Sequence, residues 1–420
     1  MAKLIDKLGH ADVLAGRAVA MFAFDIGSSI DLQTAVAAIG DAGRAKLDGS
    51  GAPRMPAWFQ FRPLPLTVRQ PITALTVAGL NVETIAELTI YDFGAVSVSF
   101  FIPLPISSIN PDGTVSLKAL LPLGEALYEN AVLRAAAFRL VDGLTASLGP
   151  AVRRPCRSEL VEDYMVYLLP SPVSAGEVAG GRTIEALLAT AEFRRDIAQL
   201  LAAEAAPLSQ QEVTDAVTGA VCFGLRDAVV ADWAAAVVFG QPTQDGATGS
   251  GAAGSTIVLE VLRFANVELL EMRFMDDNLD EMLDEAYELQ ASGRLHTMNR
   301  QNRGLISRGL WMLRDLLPGS RSADLEKLAT LQVDAAILFE SVGNALKLVG
   351  EPYLARVYRL AATRLHLSTF EANIIRKQRT LDAIYQKAAN SASGHRMEVL
   401  EWIVILLIGF DVVMSLVAKK

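Results

Sequence analysis

An apolar run at the end of the chain limits most strongly how the chain can fold. It reads VLEWIVILLIGFDVVMSLVAKK, and from Trp402 to Ala418 it is interrupted only by Gly409, Asp411 and Ser415. At about 1.5 Å of rise per residue, a helix over this run just reaches the length that crosses a bilayer. The sequence therefore predicts one transmembrane helix, a tail anchor over 398–420. A buried helix of a soluble core is the alternative.

Four residues of this segment indicate how it would sit in a membrane. Trp402 suits one membrane–water interface, and Lys419 and Lys420 suit the other. Asp411 falls in the middle of the span, where a carboxyl group costs roughly 2.5–3.5 kcal/mol on insertion scales. Because such a group is tolerated best against neighbouring spans, Asp411 favours a homo-oligomer. An oligomeric sensor or pore, with Asp411 lining a channel, is the alternative.

Composition and charge exclude several classes of protein. The chain has 420 residues, of which 51% are hydrophobic, and its net charge of −9 argues against a general nucleic-acid binder. Two cysteines, Cys156 and Cys222, are too few for a disulfide framework and suit a reducing compartment. The first residues lack the pattern of a signal peptide. We therefore expect the bulk of the chain to stay in the cytoplasm.

Hydrophobic patterning divides the chain into four parts. Residues 1–240 form a mixed α/β domain, 241–255 a Gly/Ser-rich loop, 256–397 a helical stalk, and 398–420 the membrane span. Strands are predicted at 18–27, 84–104, 163–169 and 227–239, and helices at 31–40, 121–148, 181–204 and 209–219. The Gly-rich loop lacks the Gly-Lys-Ser/Thr ending of a phosphate loop, so a flexible linker is favoured.

The stalk contains two oppositely charged helical segments. Residues 256–290 lack Gly and Pro, and their apolar residues at heptad-like spacing are Leu262, Leu269, Met272, Leu279, Leu283 and Ala286. Positions 276–288 of this segment are rich in Asp and Glu, whereas the last helix, from Tyr353 onward, is basic. Opposite charges favour packing of the two helices, with two separately solvated faces as the alternative. The fold class is therefore α+β, with an N-terminal mixed α/β domain, long coiled-coil-like helices and a C-terminal transmembrane helix.

The tripeptide Asp92-Phe93-Gly94 matches the magnesium-holding signature of protein kinases. A Gly-rich loop, a strand lysine and a His-Arg-Asp loop must precede that signature in a kinase, and none does here. Residues 85–102 instead predict a strand whose glycine marks a bend or a close backbone approach. A similar pattern, FDIG at Phe24, hints at a duplicated αβ unit.

Catalytic and metal-binding patterns are scarce. None of the four histidines has the spacing of a zinc site. Arg153, Arg154 and Arg157 surround Cys156 and would lower its thiol pKa, but no histidine stands near in sequence as a base. Cys156 therefore reads as a turn cysteine, and Cys222 as a small core residue. We predict a non-enzymatic protein without catalytic, metal or cofactor residues; the alternative is an enzyme acting on a nucleotide or phosphorylated small molecule.

Four segments stand out at the two ends of the chain: FAFDIGSSIDL (22–32), YDFGAVSVSF (91–100), NALKLVGEPYLARVYRLAATRL (344–365) and RMEVLEWIVILLIGFDVV (396–413). Together they resemble the RMD ("required for meiotic nuclear division") family, whose bacterial members are called YagE-like. The resemblance implies an N-terminal α/β domain, a helical region, a C-terminal membrane span and homo-oligomers. It carries over no catalytic residue.

We therefore expect a non-enzymatic, tail-anchored scaffold or assembly protein in the inner membrane of a bacterium. Its partners would be other copies of itself, the lipid bilayer and further proteins, and its cytoplasmic α/β domain would be displayed on the stalk.

Overall fold

The computed structural model describes residues 16–39, 65–109, 115–173, 177–178, 180–240, 255–300, 352–384 and 386. The predicted span 398–420, with Trp402, Asp411, Lys419 and Lys420, lies outside these residues, as does nearly all of the Gly-rich loop. Among the described helices, none combines the length and the apolar character needed to cross a membrane.

Contacts divide the chain into two compact units. The first holds Met1–Phe274 and Ile337–Thr369, and the second holds Met275–Ala336 and Phe370–Lys420.

An eight-stranded sheet forms the centre of the first unit. The strands in chain order are β1 (Arg17–Asp25), β2 (Gly27–Ile30), β3 (Leu66–Pro71), β4 (Thr76–Val77), β5 (Leu80–Asn81), β6 (Ile85–Ile90), β7 (Ala95–Pro103), β8 (Val152–Pro155), β9 (Val161–Pro170), β10 (Val221–Cys222), β11 (Ala228–Ala231) and β12 (Ala235–Gly240). The large sheet has the order β10-β11-β12-β9-β1-β7-β6-β3. Its neighbours pair antiparallel, except for the parallel pair β12 and β9. Strands β2 and β8 form a separate pair, as do β4 and β5.

Helices accompany these strands along the chain and confirm the predicted mixed α/β class. They are α1 (Leu32–Ile39), α2 (Leu117–Leu127), α3 (Ala131–Leu148), α4 (Ile184–Leu188), α5 (Ala191–Leu201), α6 (Gln210–Val217), α7 (Ser255–Arg300), α8 (Pro352–Arg364) and α9 (367–384). The predicted helix 121–148 is in fact two helices, because Asn130 caps α3 by accepting a hydrogen bond from the Leu133 N–H at 2.9 Å. The predicted cap at Ser209 is confirmed, since its Oγ accepts from the Glu212 N–H at 3.1 Å.

Both faces of the sheet are buried. Along β1, Phe22 and Phe24 belong to a core shared with α2 and α3, while Val19 and Met21 alternate with them and are also buried. The first part of α7 covers the second face, where its Arg263 contacts Thr89 of β6. Burial on both faces explains why the sequence of β1 is almost continuously apolar.

Within the first unit, Arg364, the last residue of helix α8, binds that helix to the end of α6. The Arg364 guanidinium donates to the carbonyl oxygens of Asp215, Ala216 and Thr218, at the end of α6. Carbonyl groups at the C-terminal end of a helix lack the partners of a continuing helix, so a cation is favourable there, and Asp215 O also accepts from the Thr218 N–H at 3.2 Å. The Tyr358 hydroxyl also donates to Glu268 Oε2 at 2.6 Å, which joins α8 to α7.

In the second unit, the acidic and basic helices pack as their charges predict. Lys377 Nζ of α9 lies 2.6 Å from Asp276 Oδ1 and 2.7 Å from Asp280 Oδ2 of α7. These carboxylates and their hydrogen bonds raise the pKa of Lys377 despite its partial burial. The predicted last helix is interrupted at Leu365 and His366, because His366 adopts a left-handed φ of 54° between α8 and α9.

Candidate functional site

The two similar sequence motifs meet at one end of the sheet. FDIG spans the end of β1 and the start of β2, and YDFG forms the turn between β6 and β7. The Ile26 N–H donates to Gly94 O at 3.1 Å, and the Ile30 N–H donates to Asp92 O at 2.7 Å. A Cβ on Gly94 would lie 1.7 Å from Gly27 O, and the φ of Gly94 is 109°. The predicted close approach is thus confirmed, although 85–102 is a hairpin and not one strand.

The aspartates of the two motifs have different surroundings. Asp25 is buried, and its Oδ1 accepts a hydrogen bond from the Gly27 N–H at 3.0 Å, which stabilises the turn from β1 into β2. Asp92 is partly buried, and this burial raises the pKa of its carboxyl group, against the lowering effect of the N–H groups of Asp92 and Phe93. The two motifs therefore build a turn junction, in which Gly94 supplies the close approach and Asp25 the hydrogen bond.

The raised pKa of Asp92 predicts a pH-dependent stability. Unfolded Asp92 ionises near its ordinary pKa of 3.8, whereas the folded carboxyl group keeps its proton to a higher pH. Between these two values the native state binds more protons, so the free energy of unfolding falls as the pH rises. We expect Asp92→Asn to remove this fall, so that urea unfolding shows the variant gaining stability relative to the parent from about pH 4 upward.

Asp31 supplies a control of the opposite sign. Its carboxylate accepts from Thr34 Oγ1 at 2.5 Å and from the Gln33 N–H at 3.0 Å, and these hydrogen bonds lower its pKa. This group stabilises the fold above its ordinary pKa, and the contribution is lost as the pH falls through the lowered value. Asp31→Asn is therefore expected to lose stability relative to the parent as the pH rises. Equal slopes for both variants would contradict the assignment for Asp92.

Cys156 lies at the same turn junction. Its N–H donates to Ile26 O at 3.2 Å, just after β8, and its side chain is exposed. Of the neighbouring arginines, Arg157 pairs with Asp142 Oδ1 at 2.5 Å and lies 4.9 Å from the centre of the Phe138 ring. Cys156 thus lies beside the two motifs, and Arg157 forms its ion pair with Asp142.

A shallow groove of about 410 Å³ opens near β10 and α8. Its lining residues are Glu185, Leu188, Ala189, Arg194, Val217, Gly219, Ala220, Cys222 and Arg356. Carbonyl groups hold both guanidinium groups, because Arg194 Nε donates to Leu188 O at 2.6 Å and Arg356 Nη2 donates to Cys222 O at 3.3 Å. The groove therefore presents two positioned cations.

Cys222 in this groove is poorly suited to act as a nucleophile. Burial, followed by the charges of Glu185 and Asp227, raises its pKa to about 11, although Arg356 lowers it. The thiol is therefore protonated at neutral pH, and only the thiolate is strongly nucleophilic. Cys222 packs against the main hydrophobic core, in agreement with the prediction of a small core residue.

A buried polar layer lies between the sheet and α7. We define it by Glu87, Thr89, Ser97, Ser99 and Arg263. The strand register pairs Glu87 with Ser99 and Thr89 with Ser97, which places these four side chains on one face. Arg263 is 1% exposed, and its Nη1 donates to Thr89 Oγ1 at 3.3 Å.

Arg263 brings two carboxylates into the polar layer. Its Nη1 lies 2.6 Å from Glu260 Oε1, and its Nη2 lies 3.6 Å from Glu87 Oε2. Among the described residues, Arg263 Nε and the hydroxyl groups of Ser97 and Ser99 have no hydrogen-bond partner. Sequence reasoning missed this layer, although Arg263 stands as a lone basic residue in the apolar stretch VLEVLRFANVELL.

Two exposed aromatic rings form the fourth notable feature, which we call the aromatic surface. Trp233 in the β11–β12 turn is 59% exposed, and Tyr128 in the α2–α3 turn is 39% exposed. Their ring centres are 6.3 Å apart, and the rings meet at 86°. Large aromatic side chains that remain on the surface of a monomer often mark a binding site.

Hydrogen bonds fix both turns that carry the aromatic surface. Asn130 Nδ2 donates to Ala126 O at 2.6 Å, which holds the turn around Tyr128. The single O–H of the buried Tyr164 is shared between Asp232 O at 2.9 Å and Ala235 O at 3.0 Å, which holds the turn around Trp233. The two rings are therefore exposed on a firmly held backbone.

The mixed sheet and the helices packed on it define a single α/β unit, and the match to a protein-family model covers the whole of that sheet. The chain belongs to the family described as "Uncharacterized protein MJ0711, N-terminal domain", whose model matches residues 15–245. That match extends from β1 to β12 and carries neither the RMD nor the YagE-like name. Comparisons with curated proteins and with solved structures found no match.

Proposed function

We propose that this protein is a non-enzymatic membrane scaffold that homo-oligomerises and displays its α/β unit to partner proteins. The segment 398–420 anchors it in the inner membrane of a bacterium, with the bulk of the chain in the cytoplasm. The aromatic surface carries the proposal, because Tyr128 and Trp233 are exposed on fixed turns that belong to the family-matched part of the chain.

The surroundings of the most suggestive sequence residues also support a scaffold. Gly94 and Asp25 serve the geometry of the turn junction, and burial keeps the Cys222 thiol protonated. Arg263 is engaged with Glu260 inside the polar layer. Each of these groups contributes to folding or packing in a way that leaves it unsuited to direct contact with a substrate.

The helical part supports a stalk between the displayed unit and the membrane. Helix α7 runs from Ser255 to Arg300, and Lys377 ties α9 to its acidic positions. We include in this proposal that these helices pack in a coiled-coil-like manner and that the chain is related to the RMD family.

The oligomer is tested by measuring the mass of the detergent-solubilised full chain by light scattering over a range of concentrations. We expect a mass of several chains that falls for Asp411→Leu if Asp411 pairs with neighbouring spans. A monomer at every concentration would refute the oligomer. An unchanged mass in Asp411→Leu would show that assembly does not depend on Asp411.

An enzyme acting on a nucleotide or phosphorylated small molecule is the second candidate, and the groove favours it. Arg194 and Arg356 line that groove with their guanidinium groups held by carbonyl oxygens, an arrangement that could meet phosphate oxygens. Thermal-shift measurements with nucleotides separate the two candidates. Stabilisation that disappears in Arg356→Ala would put the enzyme ahead, and no stabilisation would leave the scaffold ahead.

A further inference from the structure

We propose that the aromatic surface binds an arginine or lysine side chain from a basic peptide segment of a partner protein. This inference deepens the proposed scaffold function by naming the chemistry of the partner. The carrying observation is the pair of exposed rings, Tyr128 and Trp233, which meet at 86° with their centres 6.3 Å apart.

The geometry of the rings suits a cation. Two rings at nearly a right angle form two walls of a corner, and 59% of Trp233 remains open to solvent. A guanidinium or ammonium group is attracted to an aromatic face within about 6 Å of the ring centre, most strongly to tryptophan. The same walls cover the apolar stem of a long basic side chain.

The charges around the rings decide in favour of a cation. Glu129 and Asp163 act on the Tyr128 hydroxyl, and after burial they are the causes that raise its pKa. Next to the second ring, Asp232 Oδ1 accepts a hydrogen bond from the backbone N–H of Trp233 at 2.9 Å. The carboxylates of Glu129 and Asp232, in the two turns, and of Asp163, in β9, therefore border the aromatic surface.

Two of the described basic residues partly offset these carboxylates. Arg134 lowers the pKa of Asp163, and its Nη2 donates to Val161 O at 3.5 Å. Arg364 acts on the Tyr164 hydroxyl beside Asp232, but carbonyl oxygens at the end of α6 hold its guanidinium group. Three carboxylates against these two guanidinium groups leave the border acidic. A purely apolar or an acidic partner would therefore match the rings but not the charges beside them.

The fixed turns lower the cost of binding. Asn130 and Tyr164 hold the backbone of the two turns by the hydrogen bonds described above. Because the rings are presented on an ordered backbone, a partner would pay little entropy to order this side of the interface. Tryptophan and tyrosine are also the residue types that most often dominate protein interfaces.

The test is binding of a fluorescently labelled tetra-arginine peptide to the full chain, followed by anisotropy at low salt. Trp233→Ala leaves the charge of the protein unchanged, so it isolates the ring from general attraction to an acidic protein. We expect about tenfold weaker binding in Trp233→Ala and in Tyr128→Ala. Trp233→Phe should recover part of the loss, because phenylalanine keeps an aromatic face.

Ile85→Ala is the matched control, since Ile85 is an exposed apolar residue (47%) on β6, outside the aromatic surface. It is expected to bind the peptide as the parent does. Glu129→Gln is expected to weaken binding and to reduce its dependence on salt. Circular dichroism of each variant checks that the fold is retained.

Three results would overturn the inference. The first is equal binding of the tetra-arginine peptide by the parent and by Trp233→Ala. The second is binding of a tetra-glutamate or tetra-glutamine peptide as tightly as the tetra-arginine peptide. The third is loss of self-association in Trp233→Ala, which would assign the surface to a second copy of the chain. Failure of the scaffold proposal can be distinguished from failure of this inference. A chain that binds the peptide through Trp233 but does not associate with membranes would keep this inference and lose the proposed anchor.

Discussion

Replacing Gly94 by alanine is expected to prevent the first unit from folding stably. The added Cβ would lie 1.7 Å from Gly27 O, and neither backbone can retreat without breaking the hydrogen bonds of Ile26 and Ile30. Gly94 also has a φ of 109°, which side chains rarely adopt. We expect a loss above about 4 kcal/mol, in the range reserved for exceptional substitutions, seen as a strongly lowered urea midpoint or as insoluble protein.

Gly79→Ala is the matched control for this variant. Gly79 has a φ of 76°, but no atom lies within 4 Å of a Cβ placed there. The control therefore carries the left-handed backbone strain, about 1–2 kcal/mol, without the steric collision. If Gly94→Ala were no more destabilising than Gly79→Ala, the close contact of the two motifs would be wrong.

Arg263→Met is expected to cost about 3–5 kcal/mol, because it removes the cation from a buried ionic cluster. Glu260 lies 2.6 Å from Arg263 and would be left without its counter-charge, while Thr89 would lose a donor. Methionine preserves much of the length of the side chain, so the loss reports charge rather than a cavity. Urea unfolding at neutral pH measures it.

Two further variants isolate the cause. Arg69→Met removes a second described cation that pairs with Glu87, but Arg69 is 59% exposed, so we expect a loss of less than about 1 kcal/mol. Adding Glu260→Gln to Arg263→Met should recover part of the stability, because the uncompensated carboxylate disappears. A double variant as unstable as Arg263→Met alone would contradict a charge-based explanation.

Part of the sheet was predictable because alternation and β-branched residues identify strands locally, but 84–104 and 227–239 are hairpins and not single strands, and β3 and β10 were not predicted. The strands around Phe22 and Val166 follow the expected segments, and the close approach at Gly94 followed from one glycine inside a strand pattern. The break between α2 and α3 was missed because apolar helical spacing continues across it. Asn130, a strong N-cap residue, was the signal that identifies the break.

The candidate surfaces were less accessible to sequence reasoning because they depend on contacts between distant residues. Trp233 reads as part of a strand in DAVVADWAAAVVF, and its exposure follows from the turn that Tyr164 holds. Tyr128 meets it only through the packing of α2 against the sheet. Likewise, Arg263 finds Thr89 across a separation of 174 residues, which no local pattern reveals.

Membrane partitioning of the full chain and of a chain lacking 397–420 tests the central claim most directly. Both are expressed in bacterial cells, and their distribution between membranes and supernatant is measured after washing with high salt and carbonate. The scaffold account predicts that the full chain stays with the membranes and that the shortened chain is released. Equal retention of both chains, or release of both, would contradict the anchor on which the account depends.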